Sequence, residues 1–188
     1  MQQDELKVLI TSTESLMNDA IEHLHHELVK VRTGKASPSM LADLKVNYYG
    51  TPTKLSQAAN ISASDSRTLV IQPWDKSLIP VIERAIFEAN LGVTPQNDGE
   101  IVRISIPALT EERRKDLVKK AKSLGEDAKV GIRAARHKGM ESIKQAIKDG
   151  LPEDNGKRRE KEIQDLTDKF SQKVDEMISN KEVDIMTI

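Results

Sequence analysis

Five cations recur along one stretch of the chain: Lys115, Lys122, Lys129, Arg133 and Arg136, with Lys119 at their edge. If that stretch is helical, steps of roughly 100° per residue gather them into one line, interrupted by Glu126. Amines and guanidinium groups in a row do one kind of chemistry well, which is to displace counterions from a polyanion and hold its phosphates. Residues 110–148 hold twelve Lys/Arg against six Asp/Glu, a local +6, whereas the whole 188-residue chain sums to −1. The rest of the molecule therefore carries −7. Solubility alone is served by mixed signs, so a ribbon of one sign favours a nucleic-acid partner over a merely solvated face. No aromatic residue interleaves the ribbon, which points to contacts with phosphate rather than with bases.

Other chemistry is poorly supported. His23 and His26 share a helical face and offer two donors to a divalent metal, but no third ligand stands nearby and no His-Glu-x-x-His spacing exists. Both are expected to face solvent, with no metal bound. There is no cysteine, hence no thiol nucleophile, no thiolate ligand and no disulfide framework. No Gly-rich phosphate cradle, Gly-x-Ser-x-Gly elbow or carboxylate–histidine cluster is present, so nothing asks for an enzyme or a cofactor. Asp65 and Asp75 read as turn and cap residues rather than an acid–base pair. Trp74, beside a strand end, is expected to pack in the core or at its rim rather than stack on a base. Met1 is followed by Gln-Gln-Asp-Glu with no leader pattern, and no apolar run approaches the roughly 18 residues that span a bilayer, so a soluble cytoplasmic protein is expected.

The ribbon needs a helix to hold it. Residues 110–148 read as one helix on the order of 58 Å long, with Thr110 as its cap and Glu111 and Glu112 in the first turn. Its other face carries Leu117, Ala121, Leu124, Ala128, Ile132, Ala135, Ile143 and Ala146 at three- and four-residue steps, a seam for partner helices. Gly125, Gly131 and Gly139 each weaken it by roughly 1 kcal/mol relative to alanine, so packing must keep it straight. Two more stretches share the rhythm. Residues 5–32 carry Ile10, Met17, Ile21, Leu24, Leu28 and Val31, and a last helix from Glu153 to about Lys181 carries Ile163, Leu166, Phe170, Val174, Met177 and Ile178. Segments 1–32 and 151–188 each sum to −3, opposite in sign to the central helix. An antiparallel three-helix bundle of residues 1–32 and 107–188 buries all three stripes.

Residues 33–106 break that rhythm. Thr33-Gly34 and Pro38 stop the first helix. Strand-like pieces lie at 44–49, 59–62, 68–71 and 101–106, with Gly50-Thr51-Pro52-Thr53 as a turn and a short helix at 78–90 capped by Asp75 or Ser77. The expected fold is α+β, with a small β/α/β domain, a closed set of strands over one helix, inserted into the bundle. Its two connections, Thr33-Gly34 and Ser105-Ile106-Pro107, are read as a hinge. A purely structural or chaperone-like helical protein is the rival reading; it predicts an exposed apolar groove and indifference to RNA.

Four motifs narrow the choice: Val31-Arg32-Thr33-Gly34-Lys35-Ala36-Ser37-Pro38, Tyr48-Tyr49-Gly50-Thr51-Pro52-Thr53, Asp65-Ser66-Arg67-Thr68-Leu69, and Pro107-Ala108-Leu109-Thr110-Glu111-Glu112-Arg113-Arg114-Lys115. In this order and spacing the chain closely resembles the bacterial ribosome recycling factor family, along essentially its whole length. The resemblance implies an L-shaped molecule, expected to be monomeric, that splits post-termination ribosomes into subunits with elongation factor G and its GTP hydrolysis. It implies that a basic helix lies on large-subunit ribosomal RNA through Arg133 and Arg136, and that the inserted domain meets elongation factor G and the small subunit. Lys122 and Lys129 join the RNA-binding set by spacing alone. His137 departs from the family, where relatives often carry a second arginine; the resemblance implies a modest loss of RNA affinity at neutral pH.

Overall fold

The computed structural model describes residues 3–187, and they divide by contact into two compact units. The first comprises the chain up to Arg32 together with Lys115–Val183, and the second comprises Thr33–Arg114 with the residues from Asp184 onward. Among the described residues no helix is long and apolar enough to cross a membrane.

The first unit is built on three long helices, α1 (Gln3–Lys30), α5 (Glu111–Lys148) and α6 (Glu153–Met186), of which the first four residues of α5 and the last three of α6 group by contact with the second unit. Each exists because its apolar residues recur at three- and four-residue steps. Leu6, Thr13, Met17, Ile21, Leu24 and Leu28 are buried on α1, and Leu117, Ala121, Ala128, Ile132, Ala135, Ile143 and Ala146 on α5. Ile163, Thr167, Phe170 and Val174 complete the seam from α6. Full burial of a residue such as Ile132 or Ile143 contributes about 1.5–3 kcal/mol, and the row of them offsets the glycines in α5. Thr110 caps α5 as expected, its Oγ1 accepting from the Arg113 N–H at 3.1 Å. The buried hydroxyls of Thr13 and Thr167 donate to Leu9 O and Ile163 O one turn back, so neither leaves an unpaired polar group in the seam.

Two of the α5 glycines are where the helices meet. A Cβ at Gly125 would lie 2.7 Å from Ile178 Cγ1 on α6, and one at Gly139 would lie 2.8 Å from Ile163 Cδ1 and 2.9 Å from Thr13 Oγ1. These neighbours also fix direction: α5 runs antiparallel to both α1 and α6. Gly131, by contrast, is exposed and faces only the Ala20 Cβ at 3.5 Å.

In the second unit a four-stranded antiparallel sheet of order β3-β4-β6-β5 is formed by β3 (Ala59–Ala63), β4 (Thr68–Pro73), β5 (Pro95–Asn97) and β6 (Val102–Ser105). A separate hairpin pairs β1 (Lys45–Tyr48) with β2 (Thr51–Lys54). Two single-turn helices, α2 (Ser39–Ala42) and α3 (Leu55–Ala58), flank it, and α4 (Ile79–Glu88) buries Ile79, Ile82 and Ile86 against Leu69, Ile71, Val102 and Ile104. Alternation along β4 and β6 places those four on one face of the sheet.

Several expectations need correction here. The strands make two separate sheets rather than one closed set, and residues 51–54 form a strand instead of only a turn. The turn is tighter than read: Tyr49 and Gly50, at φ 49° and 82°, reverse the chain in two residues. Pro52 is tolerated because β2 pairs on one side only. The Tyr49 hydroxyl donates to Asp75 Oδ2 at 2.7 Å. Asp75 caps as expected, but it caps a 3-10 turn at Lys76–Leu78 through the Ser77 N–H, and α4 follows without a side-chain cap. The Asp65 turn is present, with Arg67 N–H donating to Asp65 Oδ1 at 2.8 Å. Trp74 is not in the core: it is 69% exposed, and its indole N–H donates to Gln57 O. Ser105 and Ile106 are not free connectors either. Ser105 pairs with Thr68 in the ladder, and Ile106 is buried in the unit's core with its N–H donating to Arg67 O.

Candidate nucleic-acid interface

The basic ribbon lies on α5, and α6 divides it into two kinds of cation. Lys122, Lys129 and Arg136 sit on the flank nearest α6 and each has a partner there. Lys122 Nζ lies 3.7 Å from Glu182 Oε1, and Lys129 Nζ lies 2.6 Å from Asp175 Oδ1. Arg136 Nε donates to Gln164 Oε1 at 2.8 Å, and Gln164 Nε2 donates on to Asp168 Oδ1 at 2.9 Å. Arg133 differs. It is exposed and takes part in no ion pair or side-chain hydrogen bond among the described residues.

The split follows from helical geometry. Against the buried Ile132, Arg136, Lys129 and Lys122 lie about 40°, 60° and 80° round the axis, on the side facing α6, and Arg133 follows at about 100°, at the far edge of that sweep. The same count puts Lys119 and Lys144 beside Arg133, and both are exposed. Lys144 falls beyond the dense part of the ribbon, but it lies eleven residues, about three turns, on from Arg133, and that step is the sequence signal that places it on the same line. His137 is also exposed, and its Nε2 lies 3.2 Å from Glu141 Oε1, one turn along the helix. His23 and His26 are exposed on α1.

The ion pairs are held loosely. Lys122 and Glu182 keep 59% and 41% of their side-chain surface in water, and such pairs contribute only about 0–1 kcal/mol. Lys129 is better covered, at 25%. Between the two pairs is a shallow groove of about 300 Å³, with Gly125 and Ile178 among its lining residues. A phosphate approaching α5 thus finds Arg133, Lys119 and Lys144 exposed, and Lys122, Lys129 and Arg136 already engaged by partners on α6.

The four motifs and the bundle with its second unit have counterparts in known proteins. The ribosome recycling factor family model matches residues 24–186. The chain belongs to the ribosome recycling factor family. The ribosome-recycling factor of Desulforamulus reducens is 47% identical over 183 residues, covering 97% of this chain and all of the relative. That of Flavobacterium johnsoniae is 46% identical over 185 residues, covering 98% and 99%. A solution structure of a ribosome recycling factor superposes over the whole of both chains with TM-score 0.83 at 34% identity. The T. thermophilus ribosome recycling factor, described with E. coli elongation factor G bound to the E. coli post-termination complex, matches with TM-score 0.67 at 44% identity, over 97% of this chain and 99% of that one. Family membership therefore rests on sequence and on the α+β fold together.

Proposed function

We propose that this chain splits post-termination ribosomes into subunits together with elongation factor G and GTP hydrolysis, as a cytoplasmic monomer, and that α5 seats it on large-subunit ribosomal RNA. The observation that carries the RNA contact is Arg133, a guanidinium left exposed and, among the described residues, unpaired on a 38-residue helix whose opposite face is buried. A cation kept free on a rigid element is pre-organised for phosphate and needs no local bond broken first. Family membership and the structural neighbour described with elongation factor G support the remainder. In this reading the second unit meets elongation factor G and the small subunit, and moves about the connections at Thr33-Gly34 and Pro107 while the bundle stays fixed.

Subunit dissociation followed by light scattering tests it. Post-termination ribosomes should separate only when the chain, elongation factor G and GTP are all present. Separation at the same rate without the chain, or none with all three, would overturn the proposal.

A further inference from the structure

On α5, Lys122, Lys129 and Arg136 are seven residues apart, and on the antiparallel α6 so are Glu182, Asp175 and Asp168. The two rows run in register: Lys122 meets Glu182, Lys129 meets Asp175, and Arg136 reaches Asp168 through Gln164. Seven residues are about two turns, or roughly 10.5 Å, so the matching persists for about 21 Å of the groove. Chance pairing on a charged surface would give an isolated contact, not three rungs at one period.

We propose that this acidic row of α6 is an internal stand-in for phosphate, which sets how selectively α5 binds RNA. The inference rests on the reading that α5 meets ribosomal RNA. Binding to nucleic acid gains chiefly from counterions released as cations take up phosphates. The released counterions come from the RNA, but a lysine held by a carboxylate must first give up that pair, and the cost of breaking it offsets much of what the release contributes. The net gain is small. Lys122, Lys129 and Arg136 therefore contribute little to binding an arbitrary RNA, which is held mainly by Arg133 and the open cations. Only a folded RNA that presents several phosphates along the groove at once displaces the row as a set. The acids thus weaken wrong partners more than the right one.

The test uses the full chain with Asp175→Asn and Glu182→Gln together, substitutions that keep size and remove charge. Affinity is measured by fluorescence anisotropy for a labelled random-sequence RNA duplex and by filtration for vacant ribosomes, each across a salt series. The doubly substituted chain should bind the duplex roughly two- to fivefold more tightly per acid removed at low salt, the factor an exposed pair is worth. Its plot of log affinity against log salt should steepen by roughly 0.7–0.9 per lysine released. Ribosome affinity should rise less, so the ratio of ribosome to duplex binding falls. In a Lys122→Ala, Lys129→Ala background the same acid substitutions should have no such effect on the duplex. An unchanged slope overturns the inference, and so does an equal gain in the background lacking both lysines, since the acids would then act only through net charge. Arg133→Ala tests the underlying reading separately: unchanged ribosome binding there removes reading and inference together. Weakened binding in Arg133→Ala with an unchanged slope in the acid variant removes the inference alone.

Discussion

Single residues on one ribbon have unequal parts, and the inequality is measurable. Arg133 is exposed and has no ion pair or side-chain hydrogen bond among the described residues, so Arg133→Ala should leave thermal unfolding unchanged, weaken ribosome binding about tenfold and reduce its salt slope by about one. Arg136→Ala should behave differently. Losing its bond to Gln164 is expected to lower stability by about 0.5–1.5 kcal/mol, seen as a lower midpoint in denaturant, in addition to any effect on binding. If the two variants prove equal in both measurements, the division of the ribbon is wrong. The Tyr49–Asp75 contact offers an independent check. The bond from Tyr49, reinforced by the Ser77 N–H, holds the Asp75 carboxyl below its usual range. Tyr49→Phe should move the Asp75 midpoint upward, towards the ordinary carboxylate range, in an NMR pH titration. Because the folded value is depressed, its contribution to stability is present above the unfolded value and is lost as pH falls through the folded one, so Tyr49→Phe should flatten the acid limb of unfolding. An unmoved Asp75 would mean that the hydroxyl contact is absent in solution. The sequence displayed the types and spacing of these residues, but not which cations had partners, because that depends on where α6 lies.

Among the elements, the three long helices were the most legible part of the chain. Their seams repeat for six to nine residues each, and a period sustained that long has few alternatives. The short strands were harder. β2 and β5 each contain a proline and run only four and three residues, so neither alternation nor propensity marks them, and both exist because a neighbour supplies the ladder. The glycines of α5 were read as equal weaknesses, yet the helices they face make them opposite in sign. Gly125→Ala would push a methyl group into Ile178 at the α5–α6 crossing, and should destabilise by about 1–3 kcal/mol despite better helix propensity. Gly131→Ala meets only ordinary contact with Ala20 and should stabilise by about 0.5–1 kcal/mol. Chemical denaturation of the two variants gives the comparison directly. The same sign for both would mean that packing at these glycines is not what the helix crossings imply.

At the scale of the molecule, the change of rhythm at Thr33-Gly34 is visible in the sequence, since helical periodicity stops there and resumes after Pro107. The point at which contacts change over on the return was hidden. Residues 107–114 carry cap and first-turn signals of α5, so they read as bundle, whereas by contact they belong with the sheet up to Arg114. The proposed lever needs its compliance in the connections, and Ser105 and Ile106 are too well bonded to supply it. Gly34 is the better place to intervene. Its Cβ would meet nothing nearer than Thr187 O at 3.9 Å, and its φ lies outside the left-handed region, so Gly34→Ala fits without strain. What alanine removes is backbone freedom worth about 0.4–1 kcal/mol. The folded chain should therefore unfold at the same or a slightly higher midpoint and bind ribosomes with wild-type affinity. Subunit splitting with elongation factor G should nevertheless slow roughly two- to fivefold, the factor that this loss of freedom represents. Splitting at full speed by a variant that binds normally would show that the pivot is not at this connection, and would leave the open segment beginning at Pro107 as the place to look.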